Sequence, residues 1–184
     1  MSSIAVDIVG FALSPVSHEP VMLLKRKGEL HPIKSLVPIA VGVGEARSII
    51  SALQGFDPQR PMTHDLCTNI MTTLHATLKR VDIHSFHDET FFAALTLVQN
   101  GVTFIVDARP SDAVALAVRQ NVPIYLDQDV FNASSVETTV MSITRHAGMQ
   151  QAEMCQSASP ATKETLTQIQ NFSKHVQPSD FKVP

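Results

Sequence analysis

The chain has 184 residues, 44% of them hydrophobic and only 5% aromatic, with no Trp and a net charge of −3. That length buries one good core with room for an appendage. The acidic balance and scarce aromatics exclude a large basic coat for nucleic acid and a stacking platform for single strands, but not an enzyme that grips one or two phosphates locally.

In chain order, Val6-Asp7-Ile8-Val9-Gly10-Phe11 reads as a strand, followed by a polar turn at Ser17 to Pro20 and a second strand from Val21 to Lys25. A tight turn at Lys27-Gly28 leads to a third strand, His31 to Val41, and to a helix at Gly44 to Ile50. Next comes Arg60-Pro61-Met62-Thr63-His64-Asp65. Thr63 suits the N-cap of a helix, and an acid in the first turn suits its dipole. Leu66, Ile70, Leu74 and Leu78, with Cys67 and Met71 beside them, give that helix one apolar face.

Val81-Asp82-Ile83-His84-Ser85-Phe86 then repeats the first strand at an offset of 75. The polar turn (His87 to Thr90), the strand (Phe91 to Val98), the Asn100-Gly101 hairpin and the strand (Val102 to Val106) follow in the same order. The second helix, Ser111 to Ala117, carries an acid-alanine pair, Asp112-Ala113, that matches Glu45-Ala46 in the first. Two copies of a β-β-β-α unit are therefore expected. Pro123 to Leu126 predicts a further strand. Composition changes near Ser134, which divides the chain into a domain over 1–133 and a tail over 134–184. Ser159-Pro160 starts a helix whose Leu166, Ile169, Phe172 and Val176 lie at helical spacing.

Charged residues gather at two helix starts. Asp107, Arg109, Pro110 and Asp112 join a strand end to a helix. Read functionally, Asp107 and Asp112 hold a divalent cation or a water while Arg109 clamps a phosphate. Read structurally, Asp112 offsets the helix dipole and Arg109 pairs with Asp107. Arg60 mirrors Arg109, since each precedes a proline and a helix start. His64 suits proton transfer, and Asp65 suits a metal ligand or an acid; the structural reading makes Asp65 a dipole acid and leaves His64 in solvent. Glu45 reads as a first-turn acid. Zinc-protease and serine-hydrolase motifs are absent, and Cys67 and Cys155 make neither a disulfide framework nor a zinc spacing. No apolar run spans a bilayer and no secretory leader is visible. A cytoplasmic protein with no membrane partner is expected.

Leu36 to Ala46, Arg60 to Leu66 and Asp107 to Ala117 together resemble the bifunctional nuclease domain family, over roughly the first 130 residues. Phe172 to Phe181 resembles the short C-terminal helix of many bacterial members. The resemblance implies an α+β fold whose duplicated unit forms an antiparallel, barrel-like sheet with helices outside, and nuclease activity on RNA and DNA. It makes candidates of Glu45, Arg60, Thr63, His64, Asp65, Asp107, Arg109, Ser111 and Asp112.

The leading expectation is a phosphodiester hydrolase. His64, Asp65, Asp107 and Asp112 would be catalytic, and Arg60, Thr63, Arg109 and Ser111 would bind substrate. Asp107, Asp112 and Glu45 are the ligands expected for a divalent Mg or Mn ion. The rival is a non-catalytic binding or regulatory module whose charged loops are structural or hold a partner or small anion. A homo-oligomer is expected in either case, because exposed strands and an amphipathic tail helix offer surfaces to a second copy.

Overall fold

The computed structural model describes residues 2–14, 17–30 and 33–137. The tail helix expected after Ser159 lies outside them. The first pass of the chain gives β1 (Ser3–Leu13), β2 (Pro20–Arg26), β3 (Ser35–Ala40) and α1 (Val43–Leu53). After α2 (Thr63–Thr73), a second pass gives β4 (Ala76–His87), β5 (Thr90–Gln99), β6 (Val102–Ala108) and α3 (Pro110–Gln120). β7 (Ile124–Asp127), α4 (Gln128–Ser134) and the two-residue β8 (Val136–Glu137) complete it.

The fold is α+β, with all eight strands in one open sheet ordered β6-β5-β4-β7-β1-β2-β3-β8. Two expectations are corrected here. The sheet is not a closed barrel among the described residues, because β6 and β8 end it without pairing. Nor is it wholly antiparallel: after α3 the chain re-enters as β7, which inserts between β4 and β1 and runs parallel to β4. Both long strands carry a bulge at the position where their sequences match, between Ile8 and Gly10 in β1 and between Ile83 and Ser85 in β4.

Local chemistry explains the turns. Asn100 and Gly101 both adopt left-handed backbone (φ 51° and 79°), as a two-residue hairpin with right-handed strand twist requires. The β4–β5 turn makes the same demand of Asp88 and Glu89 (φ 48° and 59°), where a Cβ is disfavoured. Glu89→Gly is expected to stabilise the fold by about 1 kcal/mol. In a thermal melt this raises Tm by roughly 2–4 °C for a chain of this size.

Helices α1 and α3 pack side by side and close the core. Ala46 and Ile49 of α1, and every residue from Ala113 to Ala117 of α3, are buried with Met22, Leu24, Val37, Val81 and Ile83 of the sheet. The small alanines of α3 let its backbone lie close to its neighbours. Helix α2 departs from the expected pattern. It stops at Thr73, the backbone reverses at His75 (φ 55°), and Leu78 is a buried residue of β4. Leu66, Ile70 and Leu74, the expected core face, are 52%, 49% and 57% exposed.

Candidate functional site

Three helices begin at one place. Each has an acid in its first turn: Glu45 in α1, Asp65 in α2 and Asp112 in α3. Each carboxylate complements the partial positive charge of its own helix start. The N-cap of α2 is Met62 rather than Thr63, which occupies the first helical turn instead. The orphan N–H of Met62 donates to Asp65 Oδ2 at 2.9 Å, so a capping hydroxyl is not required. The N-cap of α3 is Arg109, with Pro110 in the first turn as its missing N–H favours.

A chain of contacts joins these starts. Arg109 donates through Nε to Asp112 Oδ2 (2.6 Å) and through Nη2 to Asp112 Oδ1 (3.1 Å), and its Nη2 also lies 2.9 Å from Glu45 Oε1. His64 Nε2 lies 3.1 Å from Asp112 Oδ1, and His64 Nδ1 lies 2.9 Å from Ser48 Oγ. Behind them, Arg119 Nη2 donates to Ser48 Oγ (3.1 Å) and Arg119 Nε to Asp65 Oδ1 (2.5 Å). The carboxylate of Asp112 can only accept and the guanidinium of Arg119 can only donate. For the neutral imidazole one polarity satisfies the row: Arg119 donates to Ser48, the Ser48 hydroxyl to His64 Nδ1, and His64 Nε2–H to Asp112. This logic assigns the tautomer of His64.

Gly42 belongs to the arrangement. A Cβ there would stand 2.3 Å from Glu45 Oε2, so a side chain would push the carboxylate from its place beside Arg109. Exposure grades along the row. The Arg109 side chain is 66% exposed, Asp112 30%, His64 12% and Arg119 10%, while Ser48 is buried. The row thus has an open end at Arg109 and a closed end at Arg119.

Burial pushes the Asp112 carboxyl up, but hydrogen bonds from Arg109 and His64 outweigh it and hold the group below the ordinary 3.8. Burial likewise raises Asp65, and the Arg119 hydrogen bond and the Met62 N–H bring it below 3.8. The carboxylate partners hold the Arg109 guanidinium above its ordinary value, Asp112 first. Because the unfolded chain binds these two carboxyl protons more readily than the folded one, the stability they contribute is complete above about pH 5 and is lost as pH falls through 3.8 to the folded values. Urea unfolding between pH 5 and pH 2.5 is expected to show this loss, and Asp65→Asn to flatten it.

The structure thus brings together Glu45, His64, Asp65, Arg109 and Asp112. It adds Ser48 and Arg119, which sequence reasoning missed. Ser48 lies three residues after Glu45, on the same face of α1, and that spacing was its only signal. Arg119 reads as an ordinary basic residue in the last turn of α3. Arg60 and Asp107 are exposed, and neither side chain makes a hydrogen bond or ion pair among the described residues. The structural reading in which Arg109 pairs with Asp107 is replaced by its pairs with Asp112 and Glu45. Thr63 is exposed, and Ser111 is buried at the start of α3.

The expected metal ligands do not gather. Asp107 stands apart, and the Arg109 guanidinium sits between Glu45 and Asp112. Among the described residues, no group of three or more His, Cys, Asp or Glu side chains has the arrangement to hold an ion. A cleft of about 460 Å³ adjoins the closed end, lined by Pro61, Asp65, Thr68 and Arg119. A larger one, about 1010 Å³, opens between β1, β2 and the far ends of α1 and α3 and contains no member of the row. Chemistry rather than volume therefore locates the candidate site.

The profile of a family described as "Bifunctional nuclease domain" matches residues 22–139. An uncharacterized protein of Mycobacterium tuberculosis strain CDC 1551 / Oshkosh is 32% identical over 179 residues, which span 96% of this chain and 97% of that protein. An uncharacterized protein of strain ATCC 25618 / H37Rv matches to the same extent. No helix among the described residues is long and apolar enough to cross a membrane.

Proposed function

The chain belongs to the bifunctional nuclease domain family, and from that premise we propose that it hydrolyses phosphodiester bonds of RNA or DNA at the Arg109 end of the row. One observation carries the reading: an exposed guanidinium held between two carboxylates, one of them backed by a histidine. Three carboxylates against two guanidinia leave the row with no spare positive charge, so a phosphate bound at Arg109 competes with Asp112 and Glu45 for that charge, and on this reading it displaces Asp112.

That exchange defines the chemistry. Phosphate oxygens take the guanidinium donors, in the planar two-point fashion that Arg favours. Asp112 Oδ2 is released and loses the partner that does most to lower its proton affinity. Oδ1 stays on His64 Nε2–H, which fixes the carboxylate plane. Asp112 Oδ2 then accepts a proton from a water that attacks phosphorus, the bond to the leaving oxygen breaks, and that oxygen is protonated from solvent. Arg109 stabilises the added negative charge on the phosphoryl oxygens. In this scheme His64, Ser48 and Arg119 position the base, and no step passes through a metal. A divalent ion could reach Glu45 and Asp112 only by displacing Arg109.

The test is hydrolysis of single-stranded RNA and DNA oligonucleotides by purified wild-type protein, with Mg²⁺, with Mn²⁺ and with EDTA. Turnover that persists in EDTA is expected. Turnover that requires Mn²⁺ would replace this scheme with a metal-bound one, and no turnover in any condition would remove the enzyme reading. The mutual pairing of the row's charged groups favours a second reading, a non-catalytic binding or regulatory module. It predicts that substitutions in the row lower Tm with no hydrolysis to lose.

Two other inferences accompany the proposal. The β-β-β-α passes are read as copies of one unit. Supporting this, their bulges coincide, and their matching acids, Glu45 and Asp112, meet across Arg109. A reducing cytoplasm suits the exposed free thiol of Cys67.

A further inference from the structure

The open end of the sheet at β6 is built unlike the other end. At the β8 end, Pro38 interrupts the N–H row of β3, and the described part of the last strand carries Glu137. Proline and charge are usual devices that keep an edge from pairing. β6 has neither from Val102 to Val106. It is an unbroken run of Val-Thr-Phe-Ile-Val in continuous register with β5, without bulge, lysine or proline. Its outer edge bonds no strand among the described residues.

Both of its faces are bare. Val106 pairs with Leu95, a core residue, so Val102, Phe104 and Val106 lie on the core side of the sheet, yet they are 53%, 46% and 41% exposed. On that side α3 covers β5, and Gln99 Nε2 donates to Leu74 O at 2.5 Å, which places the end of α2 against the β5–β6 hairpin. The exposed stripe of α2, Leu66, Ile70 and Leu74, therefore approaches the start of β6 at its Leu74 end. These six side chains leave on the order of 600 Å² bare, at the upper limit for a monomer and most of the about 800 Å² that one partner of a standard interface buries. Ile105 points to the opposite face and is 67% exposed.

We propose that this surface is the interface between two copies of the chain, joined by antiparallel β6–β6 pairing on a two-fold axis, with α2 of each copy closing over the core side. An open backbone edge is paired in full only by another strand, whose N–H and C=O groups alternate in the same register. The chain's own residues after Glu137 start from the opposite end of the sheet. The sequence of β6 suits self-pairing. With Phe104 facing its copy, Val102 meets Val106 and Thr103 meets Ile105, and Asp107 falls opposite Gly101, so no like charges meet. Pairing would also brace the strand that delivers Arg109 to the candidate site.

The experiment is sedimentation equilibrium of the full chain beside Ile105→Lys and Ile70→Glu. The wild type is expected to sediment as two chains, and each substitution to raise the dimer Kd at least 100-fold with the far-UV spectrum retained. Ile105 is exposed on the face away from the helices, so its lysine variant folds even where Ile70→Glu does not. A wild-type monomer at 100 µM overturns the proposal, as does a dimer indifferent to Ile105→Lys. A monomer whose α2 amides resist hydrogen exchange would assign the surface to the chain's own tail, which equally overturns it.

Discussion

Arg109→Met is expected to lower phosphodiester hydrolysis by about 10²–10³-fold, the usual cost of removing one preorganised donor from a developing oxyanion. The effect should fall on kcat and on kcat/KM together, because the guanidinium contributes most once charge builds on the phosphoryl oxygens. The substitution is expected to leave Tm nearly unchanged, since Arg109 is 66% exposed and its ion pairs are screened by solvent. Asp112→Asn provides the complementary reading. Its amide oxygen still accepts from His64, so the His64 end of the row keeps its shape while the base and the Arg109 Nε bond are lost, and the rate should fall by about 10²–10⁴-fold. Asp107→Ala and Arg60→Ala, outside the row, are expected to stay near wild-type rates. Initial rates on one RNA and one DNA oligonucleotide, measured beside melting curves for all four variants, separate these outcomes. Equal rates for Arg109→Met and wild type would place the chemistry elsewhere.

What could be read in the sequence was what local chemistry dictates. Asn100-Gly101 forces a hairpin, Pro110 and Asp112 mark the start of α3, and the alternating strands need only neighbours to pair with. Sequence periodicity is silent about which neighbour packs where, and it failed at those points. Leu66, Ile70 and Leu74 have the spacing of a core face and lie at the surface. Leu78 continues that spacing by coincidence and belongs to a strand. The parallel insertion of β7 depends on a crossover through three preceding elements, and no local pattern encodes it. The candidate site divides along the same line. Glu45, His64, Asp65, Arg109 and Asp112 stand out because charged residues at helix starts are visible in sequence. Ser48 and Arg119 do not, because their partners lie 16, 54 and 71 positions away.

Arg119→Met is expected to have the largest effect on stability, about 3 kcal/mol, the lower end of the cost of removing one partner from a buried ion pair. The side chain is 10% exposed and its three nitrogens serve three elements: Asp65 on α2, Ser48 on α1 and the Ala115 carbonyl on its own helix. Methionine fills much of the volume but leaves the partly buried Asp65 carboxylate without its counter-charge. It also leaves Ser48 without the donor that fixes which way its hydroxyl points. A loss of that size corresponds to roughly 6–12 °C in Tm for a chain of this length. Lysine would restore the charge but not the fork, since a single ammonium on a flexible stem does not span Asp65 and Ser48 in the same geometry. Arg119→Lys should therefore recover part of the stability and little of the rate. Adding Asp65→Asn to Arg119→Met should recover stability as well, because the unpaired charge is then gone while the side-chain oxygen still accepts from the Met62 N–H. If the double variant melts no higher than Arg119→Met alone, the cost lies in packing and not in the stranded charge. Because Ser48 passes the orientation of Arg119 on to His64 and thence to Asp112, the rescued double variant is still expected to hydrolyse slowly. Stability and activity then separate at a residue at the closed end of the row, two hydrogen-bond partners removed from Asp112.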